Sequence, residues 1–115
     1  MKKNISILGS TGSIGINALK IFDKKKNSFK FNIFAANKNY KLICKQIIKY
    51  KPEIFIINNH QTLEKIKNKF KYSKTIIISD FELKDKNFKY SDITVAAIPG
   101  IAGLKLTLDL IKKSK

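Results

Sequence analysis

Arginine is absent from this chain. All 24 basic residues of the 115 are lysines, set against eight acids, for a formal net charge of +16. Arginine is the usual bidentate reader of phosphate and guanine, so a lysine excess alone does not make a nucleic-acid surface. Ile and Asn are also abundant and share A- and T-rich codons with Lys, so a biased genome accounts for the excess. The single cysteine, Cys44, excludes an internal disulfide and points to a reducing compartment. It lies beside apolar positions and reads as a packed core thiol. The single histidine, His60, follows Asn58 and Asn59 with no second His or Cys to share a metal, and reads as a surface residue in a polar loop. No apolar run approaches the roughly 18 residues of a membrane span. The Met1-Lys2-Lys3 start mimics a signal peptide, but the apolar run 5–8 is too short for one and a glycine cluster interrupts it. The expectation is a cytoplasmic protein with no membrane partner.

What is present is an ordinary globular composition, 43% hydrophobic and 28% charged, on a length that suits one domain. Apolar runs of strand length alternate with stretches of helical period. Strands are expected over 5–8, 31–36, 53–57, 75–78 and 93–98. The first helix is expected after the glycines, with Ile14, Ala18, Leu19 and Phe22 on its apolar side. The second spans 40–51, where Leu42, Ile43, Ile47 and Tyr50 face inward and Lys41, Lys45 and Lys49 step along a solvated stripe. Pro52 closes it. A short Lys-rich helix is expected over 63–70 and a last one over 104–113, while 79–92 reads as loop. Strands separated by such helices imply right-handed crossovers and a parallel sheet covered on both faces: an α/β, doubly wound, Rossmann-like domain. The pattern stops on a helix where a further strand is expected, which reads as missing chain and leaves an exposed sheet edge prone to association.

Gly9-Ser10-Thr11-Gly12-Ser13-Ile14-Gly15 directly follows the first strand and opens the first helix. Gly9 allows a tight turn, Gly12 lets a pyrophosphate approach the backbone, and Gly15 allows close packing of helix on strand. Unpaired N–H groups and the positive helix end then face the anion, the dipole contributing roughly 0.3–2 kcal/mol. Ser10, Thr11 and Ser13 offer hydroxyls.

The end of the second strand discriminates between dinucleotides. An NAD site places Asp or Glu there to hold the ribose 2′-hydroxyl. Here the residues are Ala35-Ala36-Asn37-Lys38-Asn39, with no acid and one cation. Lys38 can meet a 2′-phosphate as a point charge, and Asn37 and Asn39 can donate amide hydrogen bonds, so the reading is NADP over NAD. No nucleophile–base pair, carboxylate pair or metal cluster is visible. Asp80, Glu82 and Asp85 lie among lysines and do not read as a cation site.

Two stretches carry a family resemblance. Ile7-Leu8-Gly9-Ser10-Thr11-Gly12-Ser13-Ile14-Gly15 resembles the opening of the 1-deoxy-D-xylulose 5-phosphate reductoisomerases. Ala96-Ala97-Ile98-Pro99-Gly100-Ile101-Ala102-Gly103-Leu104, continuing through Thr107, Leu108 and Ile111, resembles that family's strand-loop-helix at the far side of the cofactor site and is the more specific match. The resemblance implies NADPH-dependent rearrangement and reduction of 1-deoxy-D-xylulose 5-phosphate to 2-C-methyl-D-erythritol 4-phosphate, in non-mevalonate isoprenoid synthesis. It implies Mg²⁺ or Mn²⁺ for the full-length enzyme, a phosphosugar substrate and a homodimer. By position Thr11, Gly12, Ser13 and Ile14 meet the pyrophosphate side of NADPH, Asn37, Lys38 and Asn39 its adenosine 2′-phosphate end, and Ala97 to Ala102 its nicotinamide side.

Three positions depart from the family pattern. Asn37 replaces a glycine, and Asn tolerates a left-handed backbone. Leu106 replaces a proline and Ser114 a glycine. On this reading residues 1–115 are an incomplete NADPH-binding domain. The catalytic residues, metal ligands and C-terminal domain lie outside the chain, which is inactive alone. Two alternatives remain: the NADP domain of another dehydrogenase, such as a semialdehyde dehydrogenase, and a basic nucleic-acid-binding module. The second needs aromatics on an exposed basic face, whereas Phe31, Phe34 and Phe55 sit in expected buried strands.

Overall fold

The computed structural model describes residues 3–25, 27–79 and 92–96. Within them β1 (Lys3–Leu8), α1 (Ser13–Asp23), β2 (Phe29–Ala36), α2 (Tyr40–Tyr50), β3 (Ile54–Ile57), α3 (His60–Lys69), β4 (Ile76–Ile78) and β5 (Ile93–Ala96) follow in order. The strands form one parallel sheet in the order β4-β3-β2-β1-β5. This is the α/β Rossmann-like architecture expected. The helix expected over 104–113 and positions 80–91 of the expected loop 79–92 fall outside the described residues.

The strand sequences explain why the sheet is buried on both sides. Side chains alternate between faces along a strand, so a run that is apolar at every position needs cover on both. In β3, Phe55 and Ile57 enter one cluster while Ile54 and Ile56 enter the other. Steps from β1 through β4 all run in one direction, and right-handed crossovers therefore put α1, α2 and α3 on a single face. Leu19 of α1, Ile43, Cys44 and Ile47 of α2, and Leu63 and Ile66 of α3 pack there against Ile5, Ile7, Phe34 and Phe55. Phe31, Phe34, Phe55 and Tyr50 meet edge to face, with ring centroids 5.1–6.1 Å apart. These phenylalanines are buried, as their strand positions required. The opposite cluster, Leu8, Ile33, Ala35, Ile54, Ile56 and Ile78, draws on strands alone among the described residues.

Differences from the sequence reading are local and have identifiable causes. Helix α3 begins at His60 rather than 63, because the Asn59 side chain caps it by accepting from the Thr62 N–H and hydroxyl, both at 2.9 Å. His60 is thus an exposed first-turn residue of a helix, not a loop residue. Strands β1 and β2 each start two residues earlier than expected, since polar Lys3, Asn4 and Lys30 still join the ladder. The register between them shifts around Ser6, whose hydroxyl accepts from the Ile33 N–H at 3.2 Å. Helix α2 ends at Tyr50. Lys51 caps it in the left-handed region, φ 48°, and Pro52 follows.

Candidate functional site

After β4 the chain returns to pair β5 with the other side of β1, so the strand order reverses at β1. In open α/β sheets the crevice beyond the carboxyl ends of the strands at such a reversal is the ligand site. The turn that leaves β1 there is the glycine segment.

Gly9 adopts φ 88°, a conformation that side chains disfavour. Its N–H and that of Ser10 both donate to the Ala35 carbonyl of β2, at 2.8 and 3.0 Å, and the Gly12 N–H closes the turn on the Gly9 carbonyl at 3.2 Å. Gly15 is required by packing: a Cβ there would lie 2.2 Å from the Gly9 carbonyl oxygen and 2.8 Å from the Ser10 Cα. Gly12 differs. A Cβ on it would meet nothing closer than the Gly9 oxygen at 3.5 Å, so no internal clash excludes a side chain. Gly12 is the N-cap of α1, which has no side-chain cap, and the first intrahelical bond runs from Ile16 to the Gly12 carbonyl. The N–H groups of Thr11, Ser13, Ile14 and Gly15 therefore take no partner among the described residues. With the positive end of α1, they fit the pyrophosphate of a dinucleotide.

Two expectations about side chains at this turn are corrected. Ser10 is fully buried, so its hydroxyl is withdrawn from the open side. Ile14, at the second position of α1, is 64% exposed instead of packing in the apolar face of the helix. That leaves Thr11, Gly12, Ser13 and Ile14 all at the open side, Thr11 half-buried and the others exposed.

The turn's two bonds to Ala35 bring it beside the loop that leaves β2. Asn37, Lys38 and Asn39 are exposed there, and Lys38 has no ion-pair partner among the described residues. Asn39 caps α2, its Oδ1 accepting from the Leu42 N–H at 3.3 Å, so only its amide NH₂ remains for a ligand. The backbone of Asn37 does not use the left-handed region, in which Lys51 is the sole non-glycine described. A side chain in place of glycine at 37 therefore carries no conformational penalty.

Sequence reasoning overlooked Gln46. It lies on the buried side of α2, and its Nε2 donates to the Ser10 carbonyl at 2.7 Å. The signal was a polar residue within the apolar stripe of Ile43, Ile47 and Tyr50. Among the described residues, no group of three His, Cys, Asp or Glu side chains could hold a metal ion. No described helix is long and apolar enough to cross a membrane.

The model of the family described as 1-deoxy-D-xylulose 5-phosphate reductoisomerase matches residues 5–115. The chain belongs to that family. This separates it from the semialdehyde dehydrogenases that share a similar glycine turn. The reductoisomerase of Pelagibacter ubique is 35% identical over 116 residues, and that of Clostridium novyi 36% over 117, each alignment covering 98% of this chain. The chain spans 30% of the length of these curated relatives. Among solved structures, the reductoisomerase from Zymomonas mobilis in complex with NADPH superposes with a TM-score of 0.87 at 26% identity, over 98% of this chain and 30% of that one. A reductoisomerase in complex with magnesium superposes at 0.81, also 26% identical, over 96% of this chain and 28% of that one.

Proposed function

We propose that this chain is the NADPH-binding unit of a reductoisomerase that converts 1-deoxy-D-xylulose 5-phosphate to 2-C-methyl-D-erythritol 4-phosphate. The observation that carries this reading is the set of N–H groups at Thr11, Ser13, Ile14 and Gly15 that take no partner among the described residues, at the reversal point of the sheet, with Lys38 on the adjoining loop. In this reading Thr11, Gly12, Ser13 and Ile14 hold the pyrophosphate. Gly12 presents bare backbone, and exposed Ile14 covers an apolar part of the nucleotide. Lys38 and the free amides of Asn37 and Asn39 receive the 2′-phosphate. The bound dinucleotide supplies the hydride; this chain's residues bind and orient it.

The described residues provide no divalent-cation ligand set. The phosphosugar substrate, the homodimer, the cytoplasmic setting and the absence of a nucleic-acid partner belong to the same proposal and rest on the family membership. So does the reading of residues 1–115 as an incomplete dinucleotide-binding domain.

Titration of the chain with NADPH and NADH at moderate salt, followed by nucleotide fluorescence, tests the reading. NADPH is expected to bind at least about tenfold more tightly than NADH, a difference of about 1.4 kcal/mol. Lys38→Ala should erase most of that preference while leaving NADH affinity unchanged. Equal affinity for the two nucleotides would refute the assignment of the 2′-phosphate to this loop. Absence of binding by folded protein would refute the cofactor assignment itself.

A further inference from the structure

We infer that Gln46 is a positioning residue for the anion site: it sets the orientation of the Ser10–Thr11 peptide so that the Thr11 N–H faces the ligand side of the turn. The inference deepens the dinucleotide reading and rests on it for the identity of the ligand. It does not depend on that reading for the orientation of the peptide.

In a trans peptide the carbonyl and the following N–H point in opposite directions, and no described peptide bond is cis. The Ser10 carbonyl is drawn inward by Gln46 Nε2 at 2.7 Å, in a contact where both residues are buried. The other half of that peptide, the Thr11 N–H, is therefore turned outward, and it has no partner among the described residues. Thr11 itself is half-buried at the mouth of the turn. A buried amide donor on one side and an outward donor on the other is the arrangement an anion at the turn requires.

The alternative orientation differs at two dihedrals, ψ of Ser10 and φ of Thr11. Rotating the Ser10–Thr11 peptide by half a turn would point the N–H at α2 and present a carbonyl dipole to the anion. It would also carry the β-branched Thr11 from negative φ into the positive-φ region, which opposes the rotation on its own account. Gln46 adds to that restraint: its NH₂ donates to the Ser10 carbonyl, a buried bond that the rotation would break.

The same contact ties together the two ends of the proposed cofactor site. Ser10 is held through its N–H by Ala35 of β2 and through its carbonyl by Gln46 of α2. Ala35 and Gln46 flank the Asn37–Lys38–Asn39 loop in sequence. The pyrophosphate turn is thus fastened to the β2–α2 unit that carries the 2′-phosphate loop.

The test uses the ¹⁵N-labelled chain and two variants, Gln46→Met, which keeps the volume and removes the donor, and Gln46→Glu. In the ligand-free protein, Gln46→Met is expected to move and broaden the Thr11 amide resonance, with the strand amides of β3 unchanged. NADPH affinity should fall about tenfold, equivalent to about 1.4 kcal/mol. The carboxyl introduced by Gln46→Glu can donate when protonated, and when ionised it repels the Ser10 carbonyl and favours the reversed peptide. Its affinity relative to wild type should therefore be near one at low pH and fall as pH rises, a profile that lost packing alone would not produce. A Thr11 amide unmoved by Gln46→Met, or a variant-to-wild-type ratio flat with pH, overturns the inference. If wild type binds no NADPH while the Thr11 amide still moves in Gln46→Met, the cofactor reading fails and the positioning role stands.

Discussion

At the scale of single residues, the three glycines of the turn have three separate reasons to be there, and substitution distinguishes them. Gly15→Ala puts a methyl 2.2 Å from the Gly9 carbonyl, and backbone must move to relieve it. A loss of about 2 kcal/mol or more in urea unfolding is expected, toward the upper end for overpacking. Gly12→Ala meets only an ordinary contact at 3.5 Å. It should cost no more than about 1 kcal/mol, because alanine is the poorer N-cap, yet lower NADPH affinity at least tenfold if the pyrophosphate lies against position 12. Equal effects of both substitutions on stability would show that Gly12 also serves packing. The sequence motif already implied these divided roles. Helix propensity and spacing gave no hint that Ser10 points inward or that Asn39 is committed to a cap, since both follow from contacts formed only in the folded chain.

Helices and strands were largely legible as elements, and their ends were less so. Helix α2 shows why: the stripe of Ile43, Ile47 and Tyr50 defines its buried side, whereas its termination depends on one dihedral at Lys51. A left-handed L-residue costs roughly 1–2 kcal/mol, and glycine loses roughly 0.5–1 kcal/mol more entropy on folding. Lys51→Gly should therefore raise stability by about 0.5–1 kcal/mol, read as a higher urea midpoint at unchanged slope. A lower midpoint would mean that the Lys51 side chain makes a stabilising contact outweighing its backbone strain. Helix α3 was misplaced by three residues for the complementary reason. Its first turn, His60-Gln61-Thr62, has no apolar period, and the start is set by the Asn59 cap.

For the whole molecule, the large positive charge has a consequence for a polyanionic ligand that does not depend on which lysine touches it. The summed field attracts NADPH, so affinity should fall as salt rises from about 0.05 to about 0.5 M, where the Debye length shortens to a few ångströms. The fall should be smaller for Lys38→Ala than for wild type, since the variant lacks the nearest proposed cation. Salt-independent NADPH affinity would place the nucleotide away from the lysine-bearing loop. The lysines of α2 illustrate the background field: Lys41, Lys45 and Lys49 all lie exposed along the stripe that their four-residue spacing predicted.

The sequence by itself determined the fold class, the strand-turn-helix that opens the chain and the absence of an acid after β2. Each depends on residues close together in the chain, where hydrophobic period and glycine chemistry act locally. Tertiary structure alone decided that β5 pairs beside β1 and so makes the glycine turn the reversal point of the sheet. It alone decided that the first three helices share one face, and that Gln46, 36 residues along the chain, holds the Ser10 carbonyl. Those are pairings between distant segments. They arise from the handedness of crossovers and from the need of a buried donor for an acceptor, and neither is written in the local pattern of residues.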